Sequence, residues 1–180
     1  MRSDRRALVP LLATLMATFA LGLAAPAAAE APEPRRPLDM ERFVGRWHEI
    51  LRTPNAAQRD CHAASQVWRR DEGGRYRVIQ TCRRGGPDGP ARNVDTAVRV
   101  LNPGENTKFE ASFFGGLVRQ RYWVVDRADD YSWMIATTAD GRFPAVLARR
   151  PDLPPAEVER LRRRVAELGL PAAGLTPSRP

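Results

Sequence analysis

The chain is poor in the residues that most often carry chemistry. Its 180 residues include two cysteines and two histidines. No Cys-x-x-Cys spacing, zinc signature, Gly-x-Ser-x-Gly elbow or phosphate-binding glycine loop occurs. Thiol-redox, structural-zinc, serine-hydrolase and phosphate-loop chemistry are therefore set aside. Lysine is almost missing, because all but one of the 29 cationic residues are arginine and Lys108 is the exception. There is no internal repeat, and no low-complexity tract beyond a proline-rich stretch at Pro32, Pro34 and Pro37. With 43% hydrophobic and 28% charged residues, the composition is that of one globular domain, not of a disordered tail or a collagen.

Long apolar runs are also scarce. The single one, from Ala7 to Ala25, follows Arg2, Arg5 and Arg6 and leads to Ala27-Ala28-Ala29. A basic start, an apolar middle and small residues at the end predict a secretory signal peptide over 1–29, cleaved after Ala29. Pro10 within the run, and a proline-rich flank in place of a basic one, argue against a membrane anchor. Arg5-Arg6 only weakly resembles a twin-arginine signal. No cysteine stands near the cleavage site to carry a lipid. The predicted organisation is a signal peptide at 1–29, a spacer at 30–37 and one domain at 38–180, periplasmic or secreted. The chain carries +8. Removing three arginines and one aspartate with the leader leaves +6, so the exported domain is basic.

From Phe43 onward, apolar residues recur with period two between short turns, which predicts antiparallel strands. Eight are expected, near 45–53, 62–70, 75–84, 92–101, 107–114, 120–126, 131–138 and 143–149. The turn signals between them include Asp71-Glu72-Gly73-Gly74, Asn102-Pro103-Gly104 and Asp140-Gly141. Eight such strands in succession can close into an up-and-down barrel without exposed edges. At the C-terminal end, Val158, Leu161, Val165 and Leu168 recur at helical spacing after Pro154-Pro155 and before Gly169. They predict one amphipathic helix on the outside of the barrel. Its arginines, Arg160 and Arg162 to Arg164, read as a solvated face, and no nucleic-acid partner is expected.

In an oxidising compartment Cys61 and Cys82 are expected to form a disulfide. If the hairpin around Asp71 to Gly74 takes the register in which paired residue numbers sum to about 143, the two cysteines lie directly opposite one another, with Cα atoms about 4.5 to 5.5 Å apart.

Gly45-Arg46-Trp47 opens the first strand, Asp130-Tyr131 falls between the sixth and seventh, and Arg149 follows the eighth. Together these resemble the three lipocalin motifs in their family order. Ala111 to Gly115, and the strand-proline-helix run from Val146 to Leu168, are similar to the bacterial lipocalins related to apolipoprotein D. The resemblance spans about residues 38 to 176. His48 stands where that group usually has tyrosine, and the group's lipid-anchor cysteine is absent. The hairpin cysteines are similar to those of some soluble members.

The resemblance implies that Trp47 plugs one end of the barrel, with Gly45 turning the chain and Arg149 stacking on the indole. It also implies a cavity for a small hydrophobic ligand, most simply a fatty acid or lysophospholipid. Strand parity from Trp47 puts Glu49 and Leu51 inside. The family pattern adds Gln66, Trp68, Tyr76, Val78, Gln80, Phe109, Ala111, Phe113, Tyr122, Val124, Ala145 and Leu147. Glu49, a carboxylate in an apolar barrel, must be hydrogen-bonded or protonated. Around the open end stand Arg52, Arg119 and Arg121, with Arg59, Arg83, Arg84 and Arg92, as a basic mouth for an anionic head group. Contact with a membrane surface, and a monomer or homodimer, fit this reading. No cofactor, metal or catalytic residue is expected. The competing readings are an exported enzyme of the same fold, a protein-interaction module with a side-chain-filled barrel, and haem carriage on His48 or His62.

Overall fold

A computed structural model describes residues 30–86 and 88–178. The expected signal peptide lies outside the described residues. The elements are α1 (Met40–Phe43), β1 (Gly45–Arg52), β2 (Cys61–Arg70), β3 (Tyr76–Arg84), β4 (Ala91–Val100), β5 (Lys108–Phe113), β6 (Val118–Arg127), β7 (Trp133–Thr138), β8 (Ala145–Ala148), α2 (Pro155–Glu167) and β9 (Thr176–Pro177). Strands β2 to β8 pair in sequence order, and β1 pairs with both β8 and β2, closing an antiparallel barrel of eight strands. Each strand lies within two residues of its expected bounds. Two short elements had no sequence signal: α1, whose N-cap Asp39 accepts the amide of Glu41 at 2.9 Å, and β9, which pairs with the end of β1.

Hydrophobic side chains form two clusters on opposite faces of the barrel wall. The inner one gathers Phe43, Trp47, Trp68, Val78, Phe109, Ala111, Val124, Met134 and Leu147. The outer one joins Leu161 and Val165 of α2 to Ile50, Leu51, Val125, Ile135 and Val146. The helix therefore seats on the outside of the barrel as its apolar spacing predicts.

Two bulges prepare that seat. The pairing of β1 with β8 shifts between Glu49 and Leu51, and that of β6 with β7 between Val124 and Asp126. A bulge places two successive residues on one face. Ile50 with Leu51, and Val125 with Asp126, thus meet the helix together, and Arg164 Nε reaches Asp126 Oδ2 at 2.7 Å. This corrects the parity reading of Leu51, which pairs with Val146 on the outer face instead of entering the barrel.

The proline-rich segment 30–37 runs along the wall from one end of the barrel to the other. Ala31 donates to the Ala139 carbonyl at 2.9 Å and Leu38 to that of Glu105 at 2.8 Å. Between them Glu33 holds Lys108, whose ammonium also lies over the Trp123 ring.

Where the chain enters β1, the floor is sealed. Trp47 is fully buried and donates its indole N–H to the Phe43 carbonyl at 2.9 Å. The Arg149 guanidinium lies 3.8 Å from the indole centroid and donates to the carbonyls of Arg42, Phe43, Val44 and Arg46. Gly45 has φ +104°, and a Cβ there would lie 3.2 Å from Arg149 Nη1. Tyr131, also buried, accepts the Asp39 amide on its hydroxyl at 2.8 Å, while Asp130 Oδ1 accepts the amide of Ser132.

Cys61 and Cys82 are bridged, with Cα atoms 5.3 Å apart. They are not directly opposed, however. The turn closes on Arg70 and Tyr76, which sets the register three residues from the expected one, so Cys82 faces Ala64 and Cys61 faces Arg84 across a bulge. That bulge carries Cys61 back within reach.

Replacing Trp47 by Ala is expected to cost about 3 to 5 kcal/mol, as a fully buried large-to-small change, measured by urea unfolding. Replacing both cysteines by serine is expected to cost about 3 kcal/mol through loss of loop constraint, with the barrel spectrum retained at low temperature.

Candidate functional site

Odd-numbered strands run away from the Trp47 floor, so the connections after β1, β3, β5 and β7 surround the other, open end. Between floor and mouth the interior holds two chambers.

The lower chamber is apolar. Phe43, Trp68 and Phe109 form its base with ring centroids 5.0 to 5.8 Å apart. Its walls include the expected Gln66, Val78, Gln80, Ala111, Tyr122 and Val124, and also Val98, Met134 and Ala136, which the sequence reading missed. Register could have found all three, since Val98 pairs with Ala111, Ala136 with Val124 and Met134 with Leu147. Tyr76, Phe113, Ala145 and Leu147 belong to the inner cluster but pack the core instead of lining this space. Trp68 donates its indole N–H to Gln66 Oε1 at 3.1 Å. Burial pushes the Tyr122 phenol above its ordinary pKa. Thr96 pairs with Val78 on the inner face, and its hydroxyl is buried with no partner.

The free volume here is about 40 Å³. Ordinary ligand sites measure about 300 to 1,000 Å³. Entry of a lipid therefore requires the inner side chains to move apart.

The upper chamber, about 110 Å³, shares Gln66 and Gln80 with the lower and is lined further by Glu49, Gln58, Ala64 and Arg92. Glu49 points inward, as parity predicts, and is not left alone. Arg52 Nη1 donates to it at 2.9 Å and Gln58 Nε2 at 3.2 Å. Arg52 also donates to the Cys61 carbonyl at 2.7 Å. Both side chains are largely buried, at 12% and 8% exposure for Arg52 and Glu49. Arg52 enters the barrel because the β1 bulge reverses parity after Ile50, so the basic group expected at the mouth is already neutralised.

Arg119 and Arg121 require a similar correction. Both stand near the open end of β6, but their side chains lie on the outer wall, where with Arg99 they surround Glu110. Hydrogen bonds from Arg99 and then Arg121 hold the Glu110 carboxyl below its ordinary range. Arg59, Arg83, Arg84 and Arg92 are exposed around the mouth and form no ion pair among the described residues. His48 pairs with Ala148 of the outer cluster, facing away from the cavity, which removes it as an axial ligand for haem inside the barrel. Both cysteines are bridged, and no group of three His, Cys, Asp or Glu side chains suited to a metal exists among the described residues.

A closed eight-stranded barrel with a tryptophan floor, an arginine over it and an outer helix defines an up-and-down β-barrel closed at one end. The model of the lipocalin-like domain matches residues 38–179, and the chain belongs to this family, whose members bind small hydrophobic ligands. Among curated proteins, it is similar to apolipoprotein D of the rat, 27% identical over 141 residues covering 73% of this chain and 71% of that one. The mouse apolipoprotein D is 24% identical over 159 residues, 81% of this chain and 79% of its own. Solved structures of the same fold include a major cockroach allergen, with TM-score 0.64 at 18% identity over 85% of this chain and 96% of its own. Insecticyanin of the tobacco hornworm Manduca sexta has TM-score 0.63 at 16% identity, covering 83% and 86%.

Thr96→Val removes an unpartnered buried hydroxyl at nearly constant volume. It is expected to raise stability by about 1 kcal/mol in urea unfolding. Glu49→Ala, which strands the Arg52 charge, is expected to lower stability by about 3 kcal/mol.

Proposed function

We propose that this protein is an exported carrier that takes up one small hydrophobic ligand, a fatty acid or lysophospholipid, in its barrel and exchanges it with a membrane surface. The observation that carries the reading is the polarity gradient along the barrel axis. An aromatic base gives way to a neck with Gln66 and Gln80, then to the Glu49–Arg52 pair, and then to exposed arginines. An acyl chain fits the lower end of that gradient and an anionic head group the upper. The Cys61–Cys82 bridge supports an oxidising compartment, periplasmic or secreted.

The narrowness of the lower chamber favours one second reading, a barrel filled by its own side chains that works through its surface. A fluorescent fatty-acid titration separates the two. The expected result is saturable uptake of one probe per chain, displaced by fatty acid and lysophospholipid and more weakly by the fatty alcohol of equal length. Equal displacement by acid and alcohol would overturn the anionic head group. No uptake at all would select the filled barrel.

A further inference from the structure

Among the described residues, the exposed large hydrophobic side chains are Phe114, Leu117, Val118 and Phe143. Phe114 and Leu117 belong to the β5–β6 connection, Val118 opens β6 and Phe143 belongs to the β7–β8 connection, so all four stand at the mouth. Phe114 and Leu117 are 77% and 88% exposed. The turn holds them out. Phe114, Gly115 and Gly116 have φ of +50°, +67° and +100° in succession, and a bulky residue rarely occupies that region. A strained backbone that presents phenylalanine to water is a cost that folding alone does not explain.

The apolar tips are ringed by positive charge. Arg119 lies beside them on the wall, where three arginines share the single carboxylate of Glu110. Arg142 adjoins Phe143 and is also largely exposed, although paired with Asp140, and Arg83, Arg84 and Arg92 rise on the neighbouring hairpin. Apolar residues at the tip with arginines set behind them are the arrangement that seats in a lipid interface while meeting phosphates. A second copy of the chain is a poor occupant, because its own basic rim would face this one.

We infer that the mouth docks on an anionic phospholipid surface, with Phe114 and Leu117 inserted at the acyl boundary and Arg119 and Arg142 on lipid phosphates. Docked this way, the barrel opens directly onto the lipid phase. The inference extends the exchange proposed above to a particular face. Its test does not involve the cavity, so either reading can fail alone.

Protein processed of residues 1–29 is mixed with phosphatidylcholine vesicles, with or without phosphatidylglycerol, and sedimented. Binding is expected to the mixed vesicles and to be about tenfold weaker to phosphatidylcholine alone. The double substitution Phe114→Ser with Leu117→Ser is expected to weaken binding at least about tenfold, by the loss of two apolar insertions. Arg119→Glu with Arg142→Glu is expected to do the same. Arg150→Glu with Arg163→Glu, on the floor side and the helix, imposes the same change in net charge and is expected to leave binding close to the parent. An equal loss in that control would overturn the inference, since net charge alone would then account for binding. It would also fall if the parent failed to bind, or if light scattering showed a dimer that the Leu117 substitution dissociates.

Discussion

The barrel depends on one guanidinium. Arg149 covers the face of Trp47 and donates to four carbonyls of the chain that crosses the floor between α1 and β1. Three of them, from Arg42, Phe43 and Val44, belong to the end of α1 and the bend before β1, outside the strand ladder, where a polar group buried without a donor costs about 1 to 3 kcal/mol. By satisfying them, Arg149 lets a non-strand segment close the end of a sheet. It also fixes where β1 begins. Because β1 is the strand that pairs with both β8 and β2, its starting point sets closure and, through Trp47, which face of every strand looks inward. Gly45 is required there because its φ is positive and the guanidinium leaves no space for a side chain.

Strand existence and order were legible because each strand keeps its two-residue period and each turn carries residues suited to it. The floor was legible because Gly45, Trp47, Tyr131 and Arg149 are few and widely separated yet occur in a familiar order. Parity failed where the chain bulges. Nothing in Glu49-Ile50-Leu51-Arg52 marks the extra residue, so Leu51 looked like cavity lining and Arg52 like a free cation at the rim. The helix is the physical reason for the bulge: it needs two adjacent apolar residues from one strand, which a regular strand cannot offer. The cysteine register failed for a related reason, as the pairing stands three residues from the expected one and a bulge beside Cys61, which no residue there marks, restores the contact. The polar partners of Glu49 escaped notice because Gln58 comes from a loop whose path has no periodicity.

The two ends of the barrel use charge in different ways. At the floor a cation is immobilised by carbonyls and an indole, and it serves closure. Just below the rim Arg52 pairs with Glu49, where the interior of the barrel turns polar. Beyond these, Arg59, Arg83, Arg84 and Arg92 of the mouth stand in solvent without an ion pair among the described residues. A basic composition that looked uniform in the sequence is thus partitioned in space, and much of it is already committed to internal partners.

The near-absence of lysine gives that outer charge a particular character. A guanidinium does not release its proton at any pH the fold encounters. The positive charge that arginine gives the rim is therefore constant. The open end keeps that charge over a breadth of pH in which a lysine-rich or histidine-rich rim would lose it.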